Sequence, residues 1–278
     1  MRLEDVADRV LASAPVRAVA LTATGSRLRI LAYHGVDRPD VLVSQLHWIK
    51  RHLVPVTLAD VVSGASLPPR AVLLTFDDGE PSVVERGLPL MRHHGIRPTM
   101  FVCPAVIGTD HPLWWQAVPD ATTIARLKTV PDSVRRAEIA SLVEHTTVRQ
   151  LTVDELRAFA EHGDVGNHTW DHPMLDRCDD DEQRRQVRDA HTWLGDTLGR
   201  KPIAFAYPNG NVAPVARDEL RLLGYQLAVL HDHHVVRWGG DGLAMSRLFA
   251  GDHISQARFS AIASGAHPFL HAIRGRAR

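Results

Sequence analysis

From residue 28 onward, short apolar runs alternate with segments whose apolar positions recur at helical spacing. The runs RLRILAYHGV (27–36), AVLLTF (71–76), TMFVCPAVI (99–107), DVGNH (164–168), IAFAYP (203–208), YQLAVL (225–230) and AMSRLFA (244–250) predict strands. Several are apolar throughout, the pattern of strands covered on both faces. Between them, VLVSQLHWIKRHL (41–53), VVERGLPLMRHHG (83–95) and LTVDELRAFAEHG (151–163) predict helices; the second closes on Gly95 and the third opens with a Thr152 to Glu155 capping box. This order predicts βαβ units and, with seven or so strands, a single parallel α/β barrel. The stretch 109–150, which carries Trp114 and Trp115, reads as a helical insertion after the third strand, and such loops build the active-site rim of barrels. In residues 1–27, Leu3, Val6, Val10 and Leu11 alternate with Glu4, Asp5 and Asp8, which predicts an amphipathic helical extension ahead of one domain over 28–278.

Composition narrows the function. A chain of 278 residues with 45% hydrophobic and 23% charged residues has enough material for one large core or two small ones. The 32 basic residues balance 32 acidic ones, so no whole-chain field draws it to nucleic acid or to an anionic membrane, and the tail RGRAR is too short to change that. Cys103 and Cys178 stand far apart, so a reducing compartment is expected rather than a disulfide framework. No apolar run approaches the roughly 20 residues that span a bilayer. The amphipathic start lacks the apolar core of a secretory signal, and a cytoplasmic location is expected.

Two stretches carry candidate chemistry. AVLLTFDDG runs an apolar strand into Asp77 and Asp78, at the strand end where barrel enzymes keep catalytic groups. Adjacent aspartates are often only a solvated turn, but an apolar approach buries them, and buried carboxylates need a cation or a proton. DVGNHTWDHPML brings His168 and His172 to the end of another strand, and Pro173 disfavours a continuing helix at His172. The spacing alone decides nothing among 17 histidines, since His267 and His271 share it. Two imidazoles and a carboxylate from separate strand ends suit a divalent metal with open positions that activates water; the competing reading is a pair of polar loop histidines. Asn167-His168-Thr169 also matches a glycosylation acceptor, which a cytoplasmic chain does not use.

TFDDG, NHTWDH about ninety residues later, and then FAYPNG resemble the first three motifs of the polysaccharide deacetylases, the carbohydrate esterase family 4 or NodB-homology group, over residues 28 to about 265. The resemblance implies a distorted, incomplete (β/α)7 barrel, TIM-like in outline, and metal-dependent removal of an N-acetyl group from an amino sugar. It makes Asp77 the general base, and Asp78, His168 and His172 the ligands of one divalent ion. Zinc is the ion expected for such a set, with cobalt, nickel or iron also suited. Tyr207, Pro208 and Asn209 fall in the substrate-binding third motif; Asn209 replaces a usual tyrosine whose backbone N–H helps hold the oxyanion. Ala206 replaces the arginine that usually orients the base; Arg247, in the apolar run AMSRLFA, is the candidate substitute, with a plain surface arginine as the competing reading. The late motif that supplies the acid histidine is not evident. VLHD offers His231, while LAYHGV resembles the opening strand of a circularly permuted subgroup similar to the biofilm poly-N-acetylglucosamine deacetylases, and makes His34 the preferred acid.

The expected partner is therefore an N-acetylated carbohydrate, either a polymer or a sugar-bearing precursor. A cytoplasmic deacetylase of a small glycoside or lipid-linked metabolite shares the same chemistry. A carbohydrate-binding barrel that has lost turnover is the reading from another class, and loss of Asp77 or of a ligand would favour it; neither is lost.

Overall fold

Period-two alternation within the apolar runs sorts their side chains onto two faces of one sheet. The structure, a computed structural model, describes residues 3–236 and 241–268; His271 and the basic tail at 274–278 lie outside the described residues. Two helices, α1 (Leu3–Leu11) and α2 (Ala14–Ala23), precede β1 (Arg29–Tyr33), α3 (Pro39–His52), β2 (Val54–Pro55), α4 (Leu58–Val62) and β3 (Ala71–Phe76). Then come α5 (Leu88–His93), β4 (Thr99–Val102), α6 (Ala121–Leu127), α7 (Asp132–Glu144), α8 (Val153–His162), β5 (Asp164–Asn167) and α9 (Asp180–Leu198). The chain continues through β6 (Ala204–Ala206), α10 (Pro214–Leu222), β7 (Leu227–Val229), β8 (Leu248–Phe249) and α11 (Gln256–Ser264).

The strands pair in parallel in the order β7-β6-β5-β4-β3-β1-β8, with β2 added beside the start of β3. The sheet curls into a half-barrel, the incomplete (β/α)7 architecture expected. Ile30, Leu73, Phe101, Ala204, Ala206, Leu227 and Val229 form one apolar cluster, joined by Leu58 and Val61 of α4. The alternate set, Leu31, Tyr33, Val72, Leu74, Phe76, Met100 and Val102, packs instead with Leu46, Met91, Phe159, Leu194 and Phe259 from the surrounding helices. A sheet buried on both faces explains why its strands read as continuous apolar runs.

Several elements differ from the sequence expectation. The run at 99–107 stops as a strand at Val102, because Pro104 opens a 3-10 turn. The run at 244–250 pairs with β1 only over Leu248–Phe249. The helix expected over 83–95 begins with a π-helical turn at Val83–Gly87. The amino-terminal segment forms two helices, with Pro15 in the first turn of α2, where its missing N–H costs no bond. Arg29, fully buried at the start of β1, donates to the carbonyls of Ala263 and Ser264 at the end of α11 and of Thr24 at the end of α2, tying the first strand to these helix ends. The Thr152 to Glu155 capping box is present. Among the described residues no helix is long and apolar enough to cross a membrane.

The inner face tapers where small residues face Phe101. A Cβ added at Gly166 would stand 2.4 Å from Phe101 Cδ1 and 3.0 Å from the Ala204 carbonyl oxygen. Gly166→Ala should therefore destabilise the barrel by about 1–3 kcal/mol, the usual scale of overpacking. Urea denaturation checks this, and an unchanged midpoint would show that the interior has room to spare.

Candidate active site

The register of the sheet decides which side chains meet. Tyr33 pairs with Phe76, Val102 with Asn167, Asn167 with Phe205 and Ala206 with Val229, so the strands end nearly level. The next residues inward by alternation are His34, Asp77 and His168, with His231 after β7. All four line one pocket of about 170 Å³, together with Asp78, His172, Tyr207, Asn209 and Arg247.

Asp77 is 3% exposed, and its carboxylate accepts two parallel bonds from Arg247, Nη1 to Oδ1 and Nη2 to Oδ2, both 2.7 Å. Arg247 is fully buried and comes from lower in the barrel, one residue before the Leu31 to Leu248 pair. Its remaining donors reach the Leu230 carbonyl at 2.7 Å and Thr75 Oγ1 at 3.2 Å. Arg247 thus stands beneath the Asp77 carboxylate, joined to it by both arms of its guanidinium. Burial alone would raise the Asp77 pKa, but the Arg247 charge and its hydrogen bonds hold it well below the usual carboxylate range.

Asp78 turns away in a left-handed conformation, φ +70°, toward the two histidines. Its Oδ1 lies 3.4 Å from His168 Nε2 and 3.5 Å from His172 Nε2, and one donor atom from each of the three residues falls within 4.8 Å of the others. Asp78 Oδ1 is buried with no hydrogen-bond donor. A hard carboxylate oxygen left unpaired between two imidazole nitrogens fits a divalent cation by donor chemistry. His168 Nδ1 donates to the Ala206 carbonyl at 2.8 Å, which fixes its tautomer and leaves Nε2 aimed inward. His172 follows a left-handed Thr169 and is itself left-handed, φ +60°, so Pro173 indeed follows a residue outside the right-handed helix. Asn167 Oδ1 accepts from the Thr169 N–H at 2.7 Å, and Thr169 Oγ1 from the His172 N–H at 3.0 Å.

Burial opposes a charge on His168, yet Asp77 and Asp78 raise its pKa above the ordinary value. Burial and the neighbouring His168 push His172 down to about 3. Cations that replace protons at such a cluster bind more weakly as pH falls.

The third motif is placed unevenly. Asn209 lines the pocket in a left-handed conformation, φ +56°, and its Oδ1 accepts from Lys128 Nζ at 3.1 Å. Tyr207 is buried, with its hydroxyl donating to the Leu243 carbonyl at 3.1 Å, and buried Pro208 does not line the pocket. The insertion supplies side chains that sequence reasoning did not assign to the site: Trp114, Trp115, Ile124 and Lys128. The Trp114-Trp115 pair was the one signal in the sequence. Trp115 packs its ring 4.3 Å from that of His172, and Trp114 Nε1 donates to the His172 carbonyl at 3.1 Å.

Arg247→Met should strand a buried carboxylate and destabilise the protein by about 3–5 kcal/mol near neutral pH. Because the folded-state pKa of Asp77 is depressed, its contribution is present above the ordinary value of about 3.9 and is lost as pH falls through the folded value. Urea denaturation of both proteins should therefore show a gap that narrows with acidification. A gap independent of pH would mean that packing, not charge, links the two residues.

The sequence profile described as "Polysaccharide deacetylase" matches residues 64–228, more than half of the chain. YxkH of Bacillus subtilis (strain 168), described as a polysaccharide deacetylase, is 20% identical over 221 residues, covering 75% of this chain and 66% of that protein. Among solved structures, the Streptococcus pyogenes deacetylase PplD superposes with a TM-score of 0.64 at 19% identity, covering 84% of this chain and 96% of that one. IcaB from Ammonifex degensii gives 0.65 at 20% identity, covering 87% and 97%. At these identities the structural likeness is one of fold. The profile match, which takes in Asp77, Asp78, His168 and His172 on that fold, shows that the chain belongs to the polysaccharide deacetylase family.

Proposed function

We propose that the protein hydrolyses the N-acetyl group of an amino sugar, with Asp78, His168 and His172 holding one divalent ion, Asp77 acting as general base and His34 as general acid. The observation that carries this reading is the unpaired, buried Asp78 Oδ1 between two imidazole nitrogens, beside a second aspartate pinned by Arg247. A zinc-like ion bound there would supply Lewis acidity, making an attacking water more acidic and polarising the acetamide carbonyl.

The chain's own groups supply the proton transfers. Arg247 keeps Asp77 ionised and fixes the direction of its oxygens, so the carboxylate is ready to take the proton of the attacking water. Asn209 lines the pocket in a left-handed turn, and its backbone N–H is the group assigned to the oxyanion that forms as water adds to the carbonyl carbon. When the C–N bond breaks, the nitrogen needs a proton to leave as an amine, and acetate is the other product. His34 and His231 both line the pocket, with ring centroids 5.9 Å apart. His231 is stacked on Phe249 at 4.0 Å, and burial followed by the Arg247 charge push it down to about 4, so it is neutral and has no imidazolium proton to give at neutral pH. His34 is exposed on the rim of the same pocket, where solvent and substrate reach its ring, which favours it as the donor.

The test is acetate release from N-acetylated polymers, lipid-linked precursors and small glycosides, with metal analysis of the same sample. Asp77→Asn should keep the ion and lose turnover by about 10² to 10⁴. His34→Ala should slow an acetamide far more than an activated acetyl ester, whose leaving group needs little proton. Release from no member of the panel by a metal-loaded protein would end the deacetylase reading; a selective loss seen only in His231→Ala would end the assignment of His34.

A further inference from the structure

The two histidines are oriented differently. His168 has its second ring nitrogen bonded to the Ala206 carbonyl, whereas His172 Nδ1 is buried without a hydrogen-bond partner. Metal-binding imidazoles are ordinarily aimed by such a second bond. The direction of His172 must come instead from its backbone, and that backbone is left-handed at Thr169 and again at His172, conformations that a loosened loop would leave.

What holds the loop is Asp171, the residue immediately before His172. Arg136 of α7 grips it through two parallel bonds, Nη1 to Oδ2 at 2.8 Å and Nη2 to Oδ1 at 3.0 Å. Gln186 of α9 bonds the same residue twice, Nε2 to Asp171 Oδ1 at 2.7 Å and Oε1 from the Asp171 N–H at 3.1 Å. Arg136 also donates to Asp132 at 2.6 Å and to Glu182 at 3.1 Å, so one guanidinium joins three carboxylates from the insertion, the histidine loop and α9. An isolated exposed ion pair contributes little, but a bidentate pair inside a network is the exception. On the other side of the loop, Trp114 bonds the His172 carbonyl, and its ring lies 5.0 Å from the Arg135 guanidinium.

We propose that Arg136 is a positioning residue for the cation site: through Asp171 it sets the His172 ring and gives the insertion control over how tightly the ion is held. The inference rests on the reading of Asp78, His168 and His172 as ligands. It assigns the insertion a task separate from walling the pocket.

The experiment measures zinc(II) affinity of the full chain by competition with a chromophoric chelator, beside the melting temperature of the metal-free protein. Arg136→Gln should weaken zinc binding by about 10- to 100-fold, the scale of lost support to a metal ligand. Arg136→Lys keeps the charge but not the fork and should recover part of the loss. Arg126→Gln, which removes only an exposed pair with Glu138 elsewhere on the insertion, should bind as the wild type does. If Arg136→Gln does not fold, Asp171→Asn, which removes the gripped charge at constant shape, should show the same weakening. Wild-type affinity in whichever of these two variants folds overturns the proposal, as does a loss matched by Arg126→Gln. A wild-type protein that takes up no zinc instead removes the cation site itself, and the proposal with it.

Discussion

The site depends on the balance of charge between Arg247 and Asp77. Two adjacent carboxylates at the end of a fully buried strand could not both stay ionised without compensation. One is compensated from below by a buried guanidinium whose three nitrogens are all hydrogen-bonded. The other faces two imidazoles and keeps an oxygen without a donor. That asymmetry separates their surroundings: Asp77 is held by an arginine, and Asp78 turns an unpaired oxygen to two imidazoles. The guanidinium lies 5.8 Å from the Phe101 ring, which in turn packs against Gly166 so closely that an added Cβ there would stand 2.4 Å from it.

Backbone strain is concentrated in the same place. Of the six described non-glycine residues at positive φ, Asp78, Thr169, His172 and Asn209 stand in or beside the pocket. Each conformation is unfavourable alone and persists because neighbours fix it. Short side-chain bonds do this within the histidine loop, and the insertion does it from outside, through Trp114, Trp115 and the Arg136 network. The loop between two strands is therefore as much a product of the insertion as of the sheet.

Much of this was legible in the sequence, for physical reasons that can be named. Strands buried on both faces write themselves as apolar runs, and a run that ends abruptly in DD or in NH marks the rim of a parallel sheet. Arg247 drew notice as a charge inside an apolar run, but a surface arginine fitted the same pattern, and only the fold shows its ion pair with Asp77. What was not legible depends on contacts between distant segments. Nothing local tells that Lys128 reaches Asn209, that Asp171 is gripped by Arg136, or that Pro208 turns away while Asn209 faces inward. Strand ends were overextended where a proline followed, as at Pro104, because hydrophobicity continues past the last ladder bond. The short β2 and α4 were missed because two paired residues and a five-residue helix are too brief to show a period.

X-ray absorption at the zinc edge of the reconstituted protein tests the central claim most directly. The account predicts a shell of nitrogen and oxygen ligands at about 2.0–2.2 Å with the outer-shell scattering of two imidazoles. That imidazole signature should be halved in His172→Ala and the spectrum altered in Asp78→Asn, with Asp77→Asn leaving the first shell intact. A spectrum without imidazole scattering, or one that Asp78→Asn and His172→Ala leave unchanged, would contradict it.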